Sequence, residues 1–190
     1  MDGAIVRWLN GGVGRFTPLD RFMEAMVSDY LVPLFGSLVL IGLWFYGTDN
    51  ASRAANQVTA AIGIGSIGVA NLIVAIVNAL VWRSRPVLDN DLTLLFYRPT
   101  DSSFPSNAAG VGFAVATAVF LRYRRIGMSL YALAFLWGFG RVYAGVHYPS
   151  DVIVGALIGV AAAFILTGLF RLLTIIPRYI QMVARWVYLA

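Results

Sequence analysis

Residues 56–82 read NQVTAAIGIGSIGVANLIVAIVNALVW, an apolar run without one charged side chain and long enough to cross a bilayer with tilt. Working outward, further apolar segments lie at 31–47 on its N-terminal side and at about 107–121, 126–143 and 149–170 on its C-terminal side. The whole composition agrees with this pattern. Of 190 residues, 59% are hydrophobic and only 12% charged, about half the charged fraction of an ordinary soluble domain. A water-soluble globule and a disordered chain are therefore excluded, and the absence of cysteine excludes a disulfide framework or a thiolate zinc site. The expected fold is an all-α polytopic membrane helix bundle of about five transmembrane helices, or six if the N-terminal segment also crosses.

Three regions follow. Residues 1–30 mix apolar positions with Arg7, Arg15, Asp20, Arg21, Glu24 and Asp29 and read as an interfacial amphipathic helix. Asp2 stands where a signal peptide would carry basic residues, and Arg7 and Asn10 break the first apolar run. Residues 31–173 hold the transmembrane domain. Residues 174–190 read as a basic amphipathic C-terminal helix, because Arg171, Arg178 and Arg185 recur every seven residues and so share one helical face. That stripe and the turn Arg122-Tyr123-Arg124-Arg125 lie on the same side of a five-span chain. The positive-inside rule makes this side cytoplasmic and turns the loops 83–106 and 141–151 outward, although Arg83, Arg85 and Arg98 work against it. Gly155 and Gly159 form a small-xxx-small pair suited to close helix packing.

The charge balance is +5, all of the basic residues are Arg, and there is a single His. Lys nucleophiles and multi-His metal sites are thus unavailable. An Arg-only surplus suits anionic lipid or a phosphorylated substrate, and the hydrophobicity makes nucleic acid the least suitable partner. The lone imidazole sits in GRVYAGVHYPSD (140–151), six residues after Arg141 and four before Asp151. Such a set can transfer a phosphoryl group covalently: Asp151 holds one ring nitrogen as N–H and the other nitrogen attacks phosphorus. Arg141 would clamp the phosphoryl oxygens, with Arg85 as a second clamp. A helix beginning at Ser106 and Asn107 would point further N–H donors and its positive dipole end at the same anion. Each residue also has an ordinary structural reading: Arg85-Pro86 as a helix end, Ser106 or Asn107 as an N-cap, and Asp151 as a first-turn acid complementing its helix dipole.

The stretches NALVWRSRP (78–86), SSFPSNA (102–108) and GRVYAGVHYPSD (140–151), in this order with apolar helices between them, resemble the three signature motifs of the type 2 phosphatidic acid phosphatase superfamily. The resemblance covers roughly residues 55–170. It implies that His147 is the nucleophile forming a phosphohistidine, that Asp151 orients it, that Arg85, Arg141 and Ser106 bind the phosphate, and that neither metal nor other cofactor is needed. There are departures. Asn78 stands where the first motif opens with Lys, on the same helical face as Arg85, so one neutral hydrogen bond remains available there. Ala108 occupies the position of the second-motif His that protonates the leaving group and then activates water. Gly140 replaces a usual Ser. Since a positioned proton donor contributes ~10²–10⁴ in rate, a chain carrying Ala108 is expected to be impaired.

The short outer loop, small size and RPTDSSFPSN run (98–107) resemble the bacitracin-resistance type of undecaprenyl diphosphate phosphatase within that superfamily. The implied activity is removal of the terminal phosphate of a polyprenyl diphosphate at the outer face of the cell membrane. Phosphatidylglycerophosphate or phosphatidate is the alternative substrate of the same class. A non-catalytic lipid-phosphate binder or transporter is the alternative of another class, motivated by Asn78 and Ala108. The intact Arg141, His147 and Asp151 speak against it, because a binder needs no oriented nucleophile.

Overall fold

The computed structural model describes residues 1–95, 97, 99–173, 175, 179, 182 and 186. Among these residues the regular structure is entirely helical: α1 (Asp2–Asn10), α2 (Thr17–Val27), α3 (Leu31–Phe45), α4 (Asn50–Leu80), α5 (Pro86–Asp89), α6 (Asn107–Phe120), α7 (Arg124–Tyr143) and α8 (Pro149–Leu172). α4 and α8 are each long and apolar enough to cross a membrane, while α6 is apolar but only 14 residues long. α2 and α3 qualify together as one span bent by 53°. The basic helix predicted at 174–190 falls mostly outside the described residues, Arg178 and Arg185 among those left out.

The segment expected to form one interfacial helix is instead two. Gly11, Gly12 and Gly14 interrupt it, and Gly14 takes a φ of +84° that side chains other than glycine rarely adopt. Both helices are sewn to the end of the bundle where α7 finishes. Buried Asn10 donates to the carbonyls of Thr93 and Tyr143 at 2.9 and 3.0 Å, and the Tyr143 hydroxyl donates to Asp20 at 2.9 Å.

α6 is the central helix, packed against α8, α7 and α4. Its interfaces are built of small residues: Ala114 meets Ala70 and Ala162, and Ala118 meets Ile62 and Ala163. In lipid the hydrophobic effect does not drive helices together, so close van der Waals packing must, and small side chains permit it. Gly155 and Gly159 bring α8 against the α6 backbone: a Cβ at either would fall 2.2 Å from the carbonyl oxygen of Ser106 or Gly110. This contact sets the start of α8 beside the start of α6, where the Ser106 N–H donates to the Asp151 carbonyl at 2.9 Å.

Candidate active site

The polar groups gather where α4 and α7 end and α6 and α8 begin. Arg85, 5% exposed, pins the surrounding loops together. Its Nε donates to the Asp101 carbonyl at 3.1 Å, Nη1 to the Val146 carbonyl at 3.0 Å, and Nη2 to the Asp101 carboxylate at 2.9 Å and the Ser102 carbonyl at 3.3 Å. Nη1 also lies 3.3 Å from Nε2 of His147. The Arg141 guanidinium, equally buried, is paired with Asp29 from the α2–α3 junction.

His147 is 4% exposed. Its Nδ1 is 2.8 Å from the Ser103 carbonyl, which can only accept, so Nδ1 carries the proton and Nε2 keeps its lone pair. Burial pushes the imidazole pKa below its ordinary value; Asp151 opposes the shift, and the positive charges of Arg85 and Arg141 reinforce it. The ring is held neutral, with its free lone pair on Nε2.

Asp151 does not hold the ring by a direct hydrogen bond, contrary to expectation: Oδ2 is 3.9 Å from Nδ1. Its oxygens are engaged elsewhere. Oδ2 accepts the Tyr148 N–H at 2.8 Å, capping α8, and Oδ1 accepts from Arg83 Nη1 at 2.5 Å. With no exposed surface, this carboxylate acts on His147 through its field and by fixing the loop that carries it. Arg83 bridges Asp151 to Asp2 of α1 at 3.0 Å and covers the Tyr148 ring at 4.1 Å. The Asp2 carboxyl is drawn below its usual pKa, chiefly by the Ser150 hydroxyl it accepts, with Arg83 adding to the effect.

A polar cavity of about 430 Å³ opens at this point, and its wall includes Asn78, Arg85, Asn107, Ala108, Arg141 and His147. Six of the eight predicted site residues thus converge on one space. Ser106 and Asp151 lie behind it, both fully buried, with Ser106 spending its hydroxyl on the Ala109 N–H as the α6 N-cap. Asn78 lines the space and has a buried Oδ1 without a hydrogen-bond partner among the described residues. Ala108 leaves no titratable group at its position, where it packs against Val32 and Trp137. The sequence reading missed Ser103, a backbone acceptor with no side-chain signature, and the counter-ions Asp29, Asp101 and Arg83, which come from segments distant in the chain.

An apolar cavity of about 200 Å³ adjoins the polar one, sharing Pro33, Ile67, Val111 and Trp137 with it. A third, along α3 and α4 from Ser37 to Phe45, shares Ser37 and Ile67 with the second. Together they form a groove following α3 from Pro33 to Phe45, about 18 Å at helical rise. Charged head at one end and apolar groove at the other is the shape of a lipid phosphate.

Comparison with known proteins gives the same picture. A family model described as the PAP2 superfamily matches residues 59–174. Undecaprenyl-diphosphatase BcrC of Bacillus subtilis (strain 168) is 25% identical over 186 residues, 97% of this chain and 91% of that protein. The crystal structure of Aquifex aeolicus LpxE matches with a TM-score of 0.68 and 30% identity, covering 87% of this chain and 93% of that one. A transmembrane PAP2 type phosphatidylglycerolphosphate phosphatase from Bacillus subtilis matches with a TM-score of 0.67, covering 90% of this chain and 85% of its own; at 22% identity this is a likeness of fold.

Proposed function

The chain belongs to the PAP2 superfamily and is a membrane lipid phosphatase; we propose that it removes the terminal phosphate of a polyprenyl diphosphate through a phosphohistidine at His147. The observation that carries this reading is the neutral, buried imidazole that lines a cavity together with Arg85 and Arg141, next to an apolar groove that shares four residues with it.

In the first step Nε2 attacks the terminal phosphorus. The N–P bond forms, the bridging P–O bond breaks, and its electron pair leaves with the polyprenyl monophosphate. Arg141 and Arg85 hold the equatorial oxygens, exchanging contacts with Asp29, Asp101 and the His147 ring for contacts with phosphate. The Asn107 and Ala108 end of α6 adds its dipole. The charge that develops on the imidazole is shared with the Ser103 carbonyl through Nδ1–H and with the field of Asp151. In the second step water attacks the phosphohistidine, the N–P bond breaks, and inorganic phosphate leaves. None of these steps calls on a metal or another cofactor.

Ala108 supplies no acid and no base, which favours a diphosphate: a leaving phosphate monoester is far less basic than the alkoxide that phosphatidate releases. Charge distribution supports an outward-facing site. Arg53, Arg122, Arg124, Arg125 and Arg171 lie at the far end of the bundle against Asp49 alone, whereas seven Asp and Glu24 offset the arginines at the site end. The far end, where α8 finishes, is then cytoplasmic. Residues 31–173 form the catalytic domain, with 1–30 resting on its outer rim.

The test is phosphate release from farnesyl diphosphate and from phosphatidate by this chain, by Ala108→His, and by Ala108→His with His147→Ala. We expect metal-independent release from the diphosphate, increased by the single change and abolished by the double one. No release by Ala108→His from either lipid would end the enzyme reading.

A further inference from the structure

Trp137 is 3% exposed, and its indole N–H is buried without a hydrogen-bond partner among the described residues. A buried donor left unmade is costly and calls for an explanation, and its position supplies one. Of the four residues that line both the polar cavity and the apolar groove, Pro33, Ile67 and Val111 carry no polar side-chain atom, and Trp137 does. Trp137 also lies one helical turn before Arg141, whose guanidinium carbon is 5.5 Å from the indole ring centroid. Ala108 belongs to the same buried cluster and lines the same polar cavity.

A lipid diphosphate that seats its terminal phosphate on Arg141 and His147 and its chain in the groove must place its inner phosphate at the junction between them. We propose that the Trp137 indole N–H donates to this inner phosphate and stabilises it as the leaving group; the inference rests on the diphosphatase reading above. In the transfer step the bond from His147 Nε2 to the terminal phosphorus forms and the bridging P–O bond breaks. The electron pair passes to the bridging oxygen, which departs as part of the lipid monophosphate while accepting the Trp137 hydrogen bond. No proton moves, because an indole N–H donates a hydrogen bond without ionising. The site thereby selects diphosphates over monophosphates next to a position that holds no acid.

The test uses the full chain in detergent with two probes: farnesyl methylenediphosphonate, a diphosphate analogue whose bridge His147 cannot cleave, and farnesyl monophosphate. Affinities are measured for the chain itself, Trp137→Phe and Arg141→Ala, and the Trp137 indole resonance, assigned by replacing the other four tryptophans in turn, is followed by NMR in the unmodified site. We expect Trp137→Phe to weaken diphosphate binding about ten-fold, and by at least about five-fold more than monophosphate binding. The indole proton should move downfield with the diphosphate only. Equal losses for both ligands, or an indole resonance that ignores a diphosphate bound in an Arg141-dependent way, overturn the role of Trp137 and leave the diphosphatase reading standing. If neither ligand binds in an Arg141-dependent way, that reading fails and takes the Trp137 role with it.

Discussion

The Nδ1 proton of His147 rests on the backbone carbonyl of Ser103 at 2.8 Å, so the tautomer of the only imidazole in the chain is fixed by a peptide group. A carbonyl cannot change its charge with pH. The orientation of the ring therefore persists through any titration of the neighbouring carboxylates, and what changes with pH is the availability of Nε2.

Burial, Arg85 and Arg141 all disfavour the imidazolium, so the folded-state pKa lies below the ordinary 6.5. The sign follows: stability from the neutral ring is complete above about 6.5 and is lost as pH falls through the lower folded-state value. With a single His in the chain, one imidazole resonance reports the titration in detergent, and its midpoint is expected below 6.5. A midpoint at or above that value would contradict the neutral-nucleophile account.

Asp29 is paired with Arg141 and is 42% exposed on its side chain, so it is a partner that incoming phosphate must replace. Removing its charge with Asp29→Asn should strengthen inhibition by vanadate or inorganic phosphate by about two- to five-fold, the worth of a partly exposed ion pair. Weaker inhibition would show instead that Asp29 positions Arg141 for binding.

The approach of α8 to α6 predicts a local intolerance of bulk. A Cβ on Gly155 would meet the Ser106 carbonyl at 2.2 Å, whereas one on Gly168 of the same helix meets nothing within 4 Å. Gly155→Val is expected to cost about 3 kcal/mol and to lower the melting temperature in detergent by about 10 °C. Gly168→Ala should be neutral or slightly stabilising. Similar melting of the two variants would remove this contact from the account of how the site is assembled.

These relationships were legible in the sequence to different degrees. The bounds of α6 and α8 fall within two residues of the apolar runs at 107–121 and 149–170, because a helix in lipid ends where its side chains become polar. α4 begins six residues before its apolar run, since Asp49 caps it by accepting the Ser52 N–H at 2.8 Å. The division of residues 1–30 into two helices follows from Gly11, Gly12 and Gly14, a local signal, whereas the docking of α1 through Asn10 on Thr93 and Tyr143 is announced by no local pattern. In the site, Arg85, Arg141 and His147 were readable from side-chain type and spacing. Ser103 was not, because its backbone does the work. The Arg83 bridge joins Asp151 to Asp2 across nearly the whole chain, and that closure brings the first turn of α1 to the first turn of α8.

Ala108 gives the clearest substrate prediction. Ala108→His should raise phosphatidate hydrolysis by about 10²-fold or more, because an alkoxide needs a proton in order to leave. The gain on farnesyl diphosphate should be about ten-fold smaller. Equal gains on the two lipids, measured as kcat/KM, would argue that the leaving group does not set the preference.

The central claim is that His147 becomes phosphorylated, and the same alanine makes this testable, since a site without a base to activate water should retain its intermediate. Incubating the chain with farnesyl diphosphate labelled in its terminal phosphate should give an acid-labile, alkali-stable phosphoprotein that disappears in His147→Gln. Label that persists in His147→Gln, or phosphate released at an undiminished rate by that variant, would contradict the account.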